Sequence, residues 1–374
     1  MKSVQNSSNK GVYENDLNFP NFINYSNISF GNNARNVGTL MDNADRLFCA
    51  YSGRTVITKK TYRQICDKLS KKPNLESAVN YLSQYRNKYM CTINRGQLVP
   101  TVEGEIFDYF ASKDTRKSYS KKTFSDALAE LKSQALEQLK LKQFAILNGS
   151  DNIIRKMTPQ VAELVNLIKQ DAILKATNDT FTRKSPLDKL LMIKVEGKDK
   201  ELVKALYKKW FYLPSSSTDV DAFIVQYSKK SHQEIAERLM SPVVATKEHI
   251  DPQSISHNNS MSNYLIVMQQ YNNERDIMPL NWFIELHEND INIKRNIQQY
   301  MEYLSKETKQ KNSPFYSWFD YPLSVAETIY NVSQKELNLI IDGHKVSEYI
   351  EKNAPKHEKR ERATKNLLEK YQKN

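Results

Sequence analysis

Glycine is scarce, with nine residues in 374. So few positions of free backbone, together with many Lys, Asn and Leu, fit a mainly helical protein. Cysteine is scarcer still: Cys49, Cys66 and Cys91 cannot build a disulfide framework. A reducing, cytoplasmic setting is therefore expected. Long apolar runs are missing too; none approaches the roughly 20 residues of a membrane helix, and the mean hydropathy is −0.67. Residues Met1 to Ser8 lack the apolar core of a signal peptide. No membrane partner is expected. Acidic residues are outnumbered 43 to 55 by Lys and Arg, a net charge of +12 that favours polyanionic partners.

What is present falls into five stretches. The length alone suggests two to three domains. Residues 1–44 are rich in Asn and Ser with scattered aromatics, and read as an irregular arm open to a protein-partner role. Residues 45–60 read as a hairpin turning at Ser52-Gly53. Residues 61–240 read as a helical insertion. Helical spacing is expected over Thr61–Leu69, Leu75–Tyr89, Phe124–Phe144, Leu187–Val195 and Leu202–Phe211, with another helix opened by Thr158-Pro159. In that last helix Val161, Leu164, Val165, Ile168 and Ile173 are expected to form the apolar side. A break at 213–219 precedes a helix near Ser231–Met240. Residues 241–285 hold the motif described next, and 286–374 read as a helical C-terminal region. There Ile293, Ile297, Tyr300, Met301 and Leu304 face inward, Phe315–Tyr321 form an aromatic core cluster, and Ser333-Gln334-Lys335-Glu336 has N-cap character.

The motif runs Glu248-His249-Ile250-Asp251-Pro252-Gln253-Ser254, then Asn263-Tyr264-Leu265, then Asn272-Asn273-Glu274-Arg275. A short strand, Val243–Thr246, leads into it, and Pro252 stops that strand because proline lacks a ladder donor. A polar loop, a second apolar run at Tyr264–Met268 and a polar helical segment follow. Asn272 stands 23 residues after His249. For an isolated histidine, a structural place at a strand end is the simpler reading; the ordered set of acid, His and two Asn points further.

This set resembles the HNH (His-Me finger, ββα-metal) endonucleases, and most nearly the HNH domain of the RNA-guided CRISPR effector nucleases. Those domains carry a Cys-x-Tyr-Ser-Gly-Lys-like hairpin just before the acid-His strand. Cys49-Ala50-Tyr51-Ser52-Gly53-Arg54 is similar, but about two hundred residues upstream. The resemblance implies a ββα-metal core split by the helical insertion, so the expected fold class is α+β, mainly helical. It implies a metal-dependent nuclease acting on DNA, with RNA also open, and an origin in a phage or mobile element. His249 would be the general base, since imidazole titrates near neutrality. Glu248 and Asn272 would hold Mg²⁺ or Mn²⁺ through oxygen. Asn263 would fix the loop, and Arg275 would contact phosphate. The CRISPR branch has Asp where this chain has Glu248, whose extra methylene would move the metal. The alternative is an HNH fold that binds nucleic acid or protein without cleaving.

Many HNH proteins carry a zinc knuckle from two Cys-x-x-Cys pairs. Here those positions are Cys49, Ser52, Met268 and Tyr271, with one thiolate ligand among four. Structural zinc needs four good ligands, so none is expected. Two basic stretches suit nucleic acid. One holds Arg116, Lys117, Lys121 and Lys122. The other, Lys204–Trp210, holds Lys208 and Lys209 beside Tyr207 and Trp210, which either stack on bases or are buried by their helix.

Overall fold

In a computed structural model, the structure describes residues 37–38, 41, 44, 46–73, 75–94, 97–112, 124–252, 260–289, 291–316, 318–333 and 335–352. Most of the N-terminal arm, the basic stretch with Arg116, Lys117, Lys121 and Lys122, the polar loop from Gln253 to Asn259 and residues 353–374 of the C-terminal region lie outside the described residues.

The chain is mainly helical, with four two-stranded antiparallel sheets among the described residues. Hairpin β1 (Leu47–Phe48) and β2 (Thr55–Val56) turns through Gly53, whose φ of +66° is the left-handed region that glycine occupies freely. Thr58 then caps α1 (Lys59–Leu69) by accepting from the Thr61 amide. Next come α2 (Leu75–Tyr89), hairpin β3 (Cys91–Asn94) and β4 (Gln97–Pro100), and α3 (Val102–Ser112). The long α4 (Phe124–Asn148) buries Leu128, Ala135 and Leu139 on one stripe. It is followed by α5 (Asp151–Ile154), α6 (Pro159–Thr177), α7 (Lys184–Leu191) and α8 (Gly197–Phe211).

The expected insertion is thus helical except for β3–β4. A further helix, α9 (Val220–Tyr227), follows the break at 213–219, where Asp219 caps it by accepting from the Ala222 amide at 3.0 Å. A capping box, Ser231 with Glu234, opens α10 (His232–Met240). Of the apolar positions on α6, Leu164 is exposed while Val165 and Ile168 are buried.

The motif region forms strand, loop, strand and helix. These are β5 (Ala245–His249), β6 (Tyr264–Met268) and α11 (Gln269–Arg275). β5 and β6 pair antiparallel, with Ala245 opposite Met268 and His249 opposite Tyr264. The strand begins two residues later than the sequence suggests, because Ser241-Pro242-Val243 makes a 3₁₀ turn.

The far-upstream hairpin lies against this unit. The Ala50 amide donates to the Ile266 carbonyl at 2.9 Å, the Ile57 amide to Val243 at 2.9 Å, and the Ala245 amide to Ile57 at 2.8 Å. A parallel bridge joins Ile57 to Val244. Residues 47–57, 243–252 and 260–268 are therefore one structural unit.

After the motif, α12 (Leu280–Leu286) buries Leu280, Phe283 and Ile284. α13 (Ile293–Glu307) buries all five residues expected to face inward, and α14 (Tyr321–Val332) follows. Phe315, Trp318 and Tyr321 are core residues, while Phe319 is exposed. Ser333 stands at the end of α14 rather than at a helix start; its hydroxyl accepts from the Leu337 amide at 3.2 Å in the turn beyond. The hairpin β7 (Ile340–Ile341) and β8 (His344–Lys345) follows, and residues 346–352 after it are helical.

Candidate functional site

Side chains along β5 leave by alternate faces. Thr246 and Glu248 face α11. Asn272 Nδ2 donates to Thr246 Oγ1 at 3.5 Å, and Arg275 forms a salt bridge with Glu248. Lys247 and His249 leave by the other face, where both meet Tyr264. The His249 ring lies 4.6 Å from the Tyr264 ring, and the Lys247 ammonium sits 5.2 Å from the centre of that ring. Tyr264 is the direct cross-strand partner of His249, which puts the two on one face.

The loop after β5 is held at both ends of one residue. Asn263 is fully buried; its side-chain oxygen accepts from the Asp251 amide at 2.7 Å and its nitrogen donates to the Asp251 carbonyl at 2.8 Å. The Asn263 carbonyl accepts from the Ile250 amide at 2.9 Å. Asn263 thus braces Asp251, just past the end of β5, through both of its main-chain groups.

Arg275 has no exposed surface, so the expected phosphate contact is corrected to an internal clamp. Its guanidinium donates to the Glu248 carboxylate, to the His249 carbonyl, and to the Ile250 carbonyl at 2.6 Å. A planar fork of five donors suits such a three-way grip. Glu248 is 1% exposed. Burial pushes its carboxyl up to about 7, against the downward pull of Arg275.

These contacts bear on the metal. Asn272 and Glu248 lie on the helix-facing side, but the Glu248 carboxylate is taken up by Arg275. Among the described residues there is no group of three or more His, Cys, Asp or Glu placed to hold a metal ion. A carboxylate neutralised by a buried guanidinium is a poor ligand for a hard cation, so the donor set does not fit Mg²⁺ or Mn²⁺ held by Glu248 and Asn272 in this arrangement.

Three of the four knuckle positions, Cys49, Ser52 and Met268, meet in a hydrogen-bonded cluster. Cys49 Sγ accepts from the amides of Ser52 and Met268, both at 3.4 Å, and the Ser52 hydroxyl lies 3.9 Å from Met268 Sδ. Burial pushes the Cys49 thiol up, favouring its neutral form. Tyr271 packs edge-on to Tyr51, their rings 6.4 Å apart.

The second basic stretch serves packing. Lys208 pairs with Glu285, as does Lys204 at 2.7 Å, and Lys209 donates to the Gly149 carbonyl. Trp210 is fully buried, its indole donating to Ser150 Oγ at 2.8 Å, and Tyr207 packs on Trp282. α8 is therefore a clamp between the insertion and α12, and its aromatics have no exposed face for a base. Two surface cavities of about 490 and 460 Å³ lie elsewhere, beside Glu285 and beside His287, and His249 lines neither.

Sequence reasoning overlooked Lys247 and Tyr264. Strand alternation from His249, with the register set by the second apolar run, was the signal that could have found them. Comparison of the chain with protein-family models, with curated proteins and with solved structures found no match.

Proposed function

We propose that the chain is an endonuclease of the ββα type that hydrolyses phosphodiester bonds in DNA, with His249 as general base. The observation that carries this reading is the strand–loop–strand–helix unit with His249 at the end of β5 and Asn263 bracing the loop behind it. His249 takes a proton from the attacking water, whose oxygen bonds to phosphorus as the bond to the leaving sugar oxygen breaks. That oxygen is protonated by solvent. Lys247, on the same face as His249, supplies a cation for the phosphate oxygens. Arg275 holds the carbonyls of His249 and Ile250, and Glu248 accepts from Arg275, so neither touches substrate.

A second reading has its own observation. Glu248 locked against Arg275 favours a ββα fold that binds nucleic acid or protein without cleaving it.

Nicking of supercoiled plasmid in Mg²⁺, Mn²⁺ or chelator separates the two. Wild type should nick, and His249→Ala should lose about 10²–10⁴-fold in rate. Lys247→Gln should slow nicking while leaving the melting temperature unchanged. Wild type that never nicks, or His249→Ala that nicks like wild type, replaces the first reading with the second.

A further inference from the structure

The chain's excess charge is not spread evenly. Between Lys59 and Met90 the sequence has eight Lys or Arg against two acids, Asp67 and Glu76, which is half of the net +12. This stretch is α1 and α2, rooted in the core by the Ile57 bridge to Val244 and by Arg54, which donates to the Lys88 carbonyl at 2.9 Å.

The same stretch carries an aromatic row. Tyr81, Tyr85 and Tyr89 follow at helical spacing on α2, all half-buried. Ring centres are 5.8 Å apart from Tyr81 to Tyr85 and 6.2 Å from Tyr85 to Tyr89. Cations attend the row: the ammonium groups of Lys72 and Lys68 lie 5.1 and 6.0 Å from the Tyr81 ring centre, and that of Lys88 lies 5.0 Å from the Tyr89 ring centre.

We propose that this α1–α2 face binds a single-stranded segment of nucleic acid, bases against the tyrosine row and phosphates on the flanking lysines. Alternating aromatics and cations are what a strand-binding groove needs, because every base has a face to stack and every linkage a charge. The ring spacing selects the strand over the duplex. It exceeds the about 3.4 Å rise between neighbouring nucleotides of one strand, so bases held on successive rings cannot stay stacked on each other. Lysine ammoniums on flexible stems can leave the ring faces for phosphates, and a base then takes the vacated face. Within α2 Arg86 is paired with Asp108, and elsewhere Lys208, Lys209 and Lys142 are engaged with Glu285, the Gly149 carbonyl and the pair Asp219 and Asp221.

The test needs no cleavage. Fluorescein-labelled single-stranded DNA, the same RNA sequence and the DNA duplex are titrated with the full chain carrying His249→Ala, in chelator, at several salt concentrations. The strands, DNA and RNA alike, should bind more tightly than the duplex. Tyr85→Ala should weaken strand binding about 5- to 150-fold, and Tyr85→Phe should bind like the parent. Lys68→Glu with Lys72→Glu should flatten the slope of log affinity against log salt by about 0.7 for each phosphate that is no longer neutralised. Lys309→Glu, far along the chain just beyond the C-terminal end of α13, should change nothing. The proposal is overturned if Tyr85→Ala binds as the parent does, if the duplex binds as tightly as the strand, or if Lys309→Glu weakens binding as much as the double change at Lys68 and Lys72. Plasmid nicking is scored separately, so loss of the endonuclease reading would leave this result standing, and the reverse.

Discussion

Replacing Arg275 by Met would remove the guanidinium while nearly keeping the volume of the side chain. Three acceptors then lose their donor: the Glu248 carboxylate and the carbonyls of His249 and Ile250. Removing one partner of a buried ion pair costs about 3–5 kcal/mol, because the remaining charge has neither water nor counterion. Glu248 has an escape, however, since a buried carboxyl can take a proton. In wild type its folded value is already raised to about 7, and without Arg275 it should rise further. A carboxyl whose folded value is raised contributes stability that is complete below the ordinary acid value and lost as pH rises through the folded value. The cost of Arg275→Met should therefore be smaller near pH 5, where Glu248 is protonated in the variant, and larger near pH 8. Urea midpoints followed by fluorescence of Trp210, Trp282 and Trp318 at both pH values measure it. Adding Glu248→Gln should recover part of the loss at pH 8 and little at pH 5. A cost below about 1 kcal/mol, or one that does not change with pH, would refute the clamp.

Asn263→Ala should cost about 2–4 kcal/mol, since both main-chain groups of Asp251 lose a buried partner; thermal unfolding would show it, and hydrogen exchange at Asp251 should accelerate. Glu327, on α14, is 7% exposed and burial raises its carboxyl to about 7. By the same sign rule, its contribution is lost between about pH 4.5 and pH 7, so Glu327→Gln should gain on wild type as pH rises through that window, up to about 3 kcal/mol. Equal urea midpoints for Glu327→Gln and wild type from pH 5 to pH 8 would remove that assignment.

Legibility followed the range of the interaction. Leu75–Tyr89 and the second motif strand, Tyr264–Met268, were bounded to the residue from spacing alone, because apolar periodicity and local turn chemistry act within one element. The five inward residues of α13 came from the same source. The helix α9 is hidden behind the Ser-rich stretch before it, which reads as a break, although Asp219 offers a standard cap. β3–β4 was missed because its strands are four residues long and lack a clear alternation.

The candidate site divides along the same line. Residue order placed an acid, a histidine and two asparagines on a strand, a loop and a helix, and the family resemblance, not the residues themselves, put the upstream hairpin beside them across two hundred residues. Only the tertiary structure decided what each side chain faces. Strand alternation set Glu248 and His249 on opposite sides of one hairpin, and burial made Arg275 a partner for Glu248 in place of phosphate. Packing of α8 on α12 likewise turned Lys208 from a candidate nucleic-acid contact into a partner for Glu285. A charge in a sequence has no neighbour until the fold supplies one, and in a low-dielectric interior that neighbour settles what the charge can do.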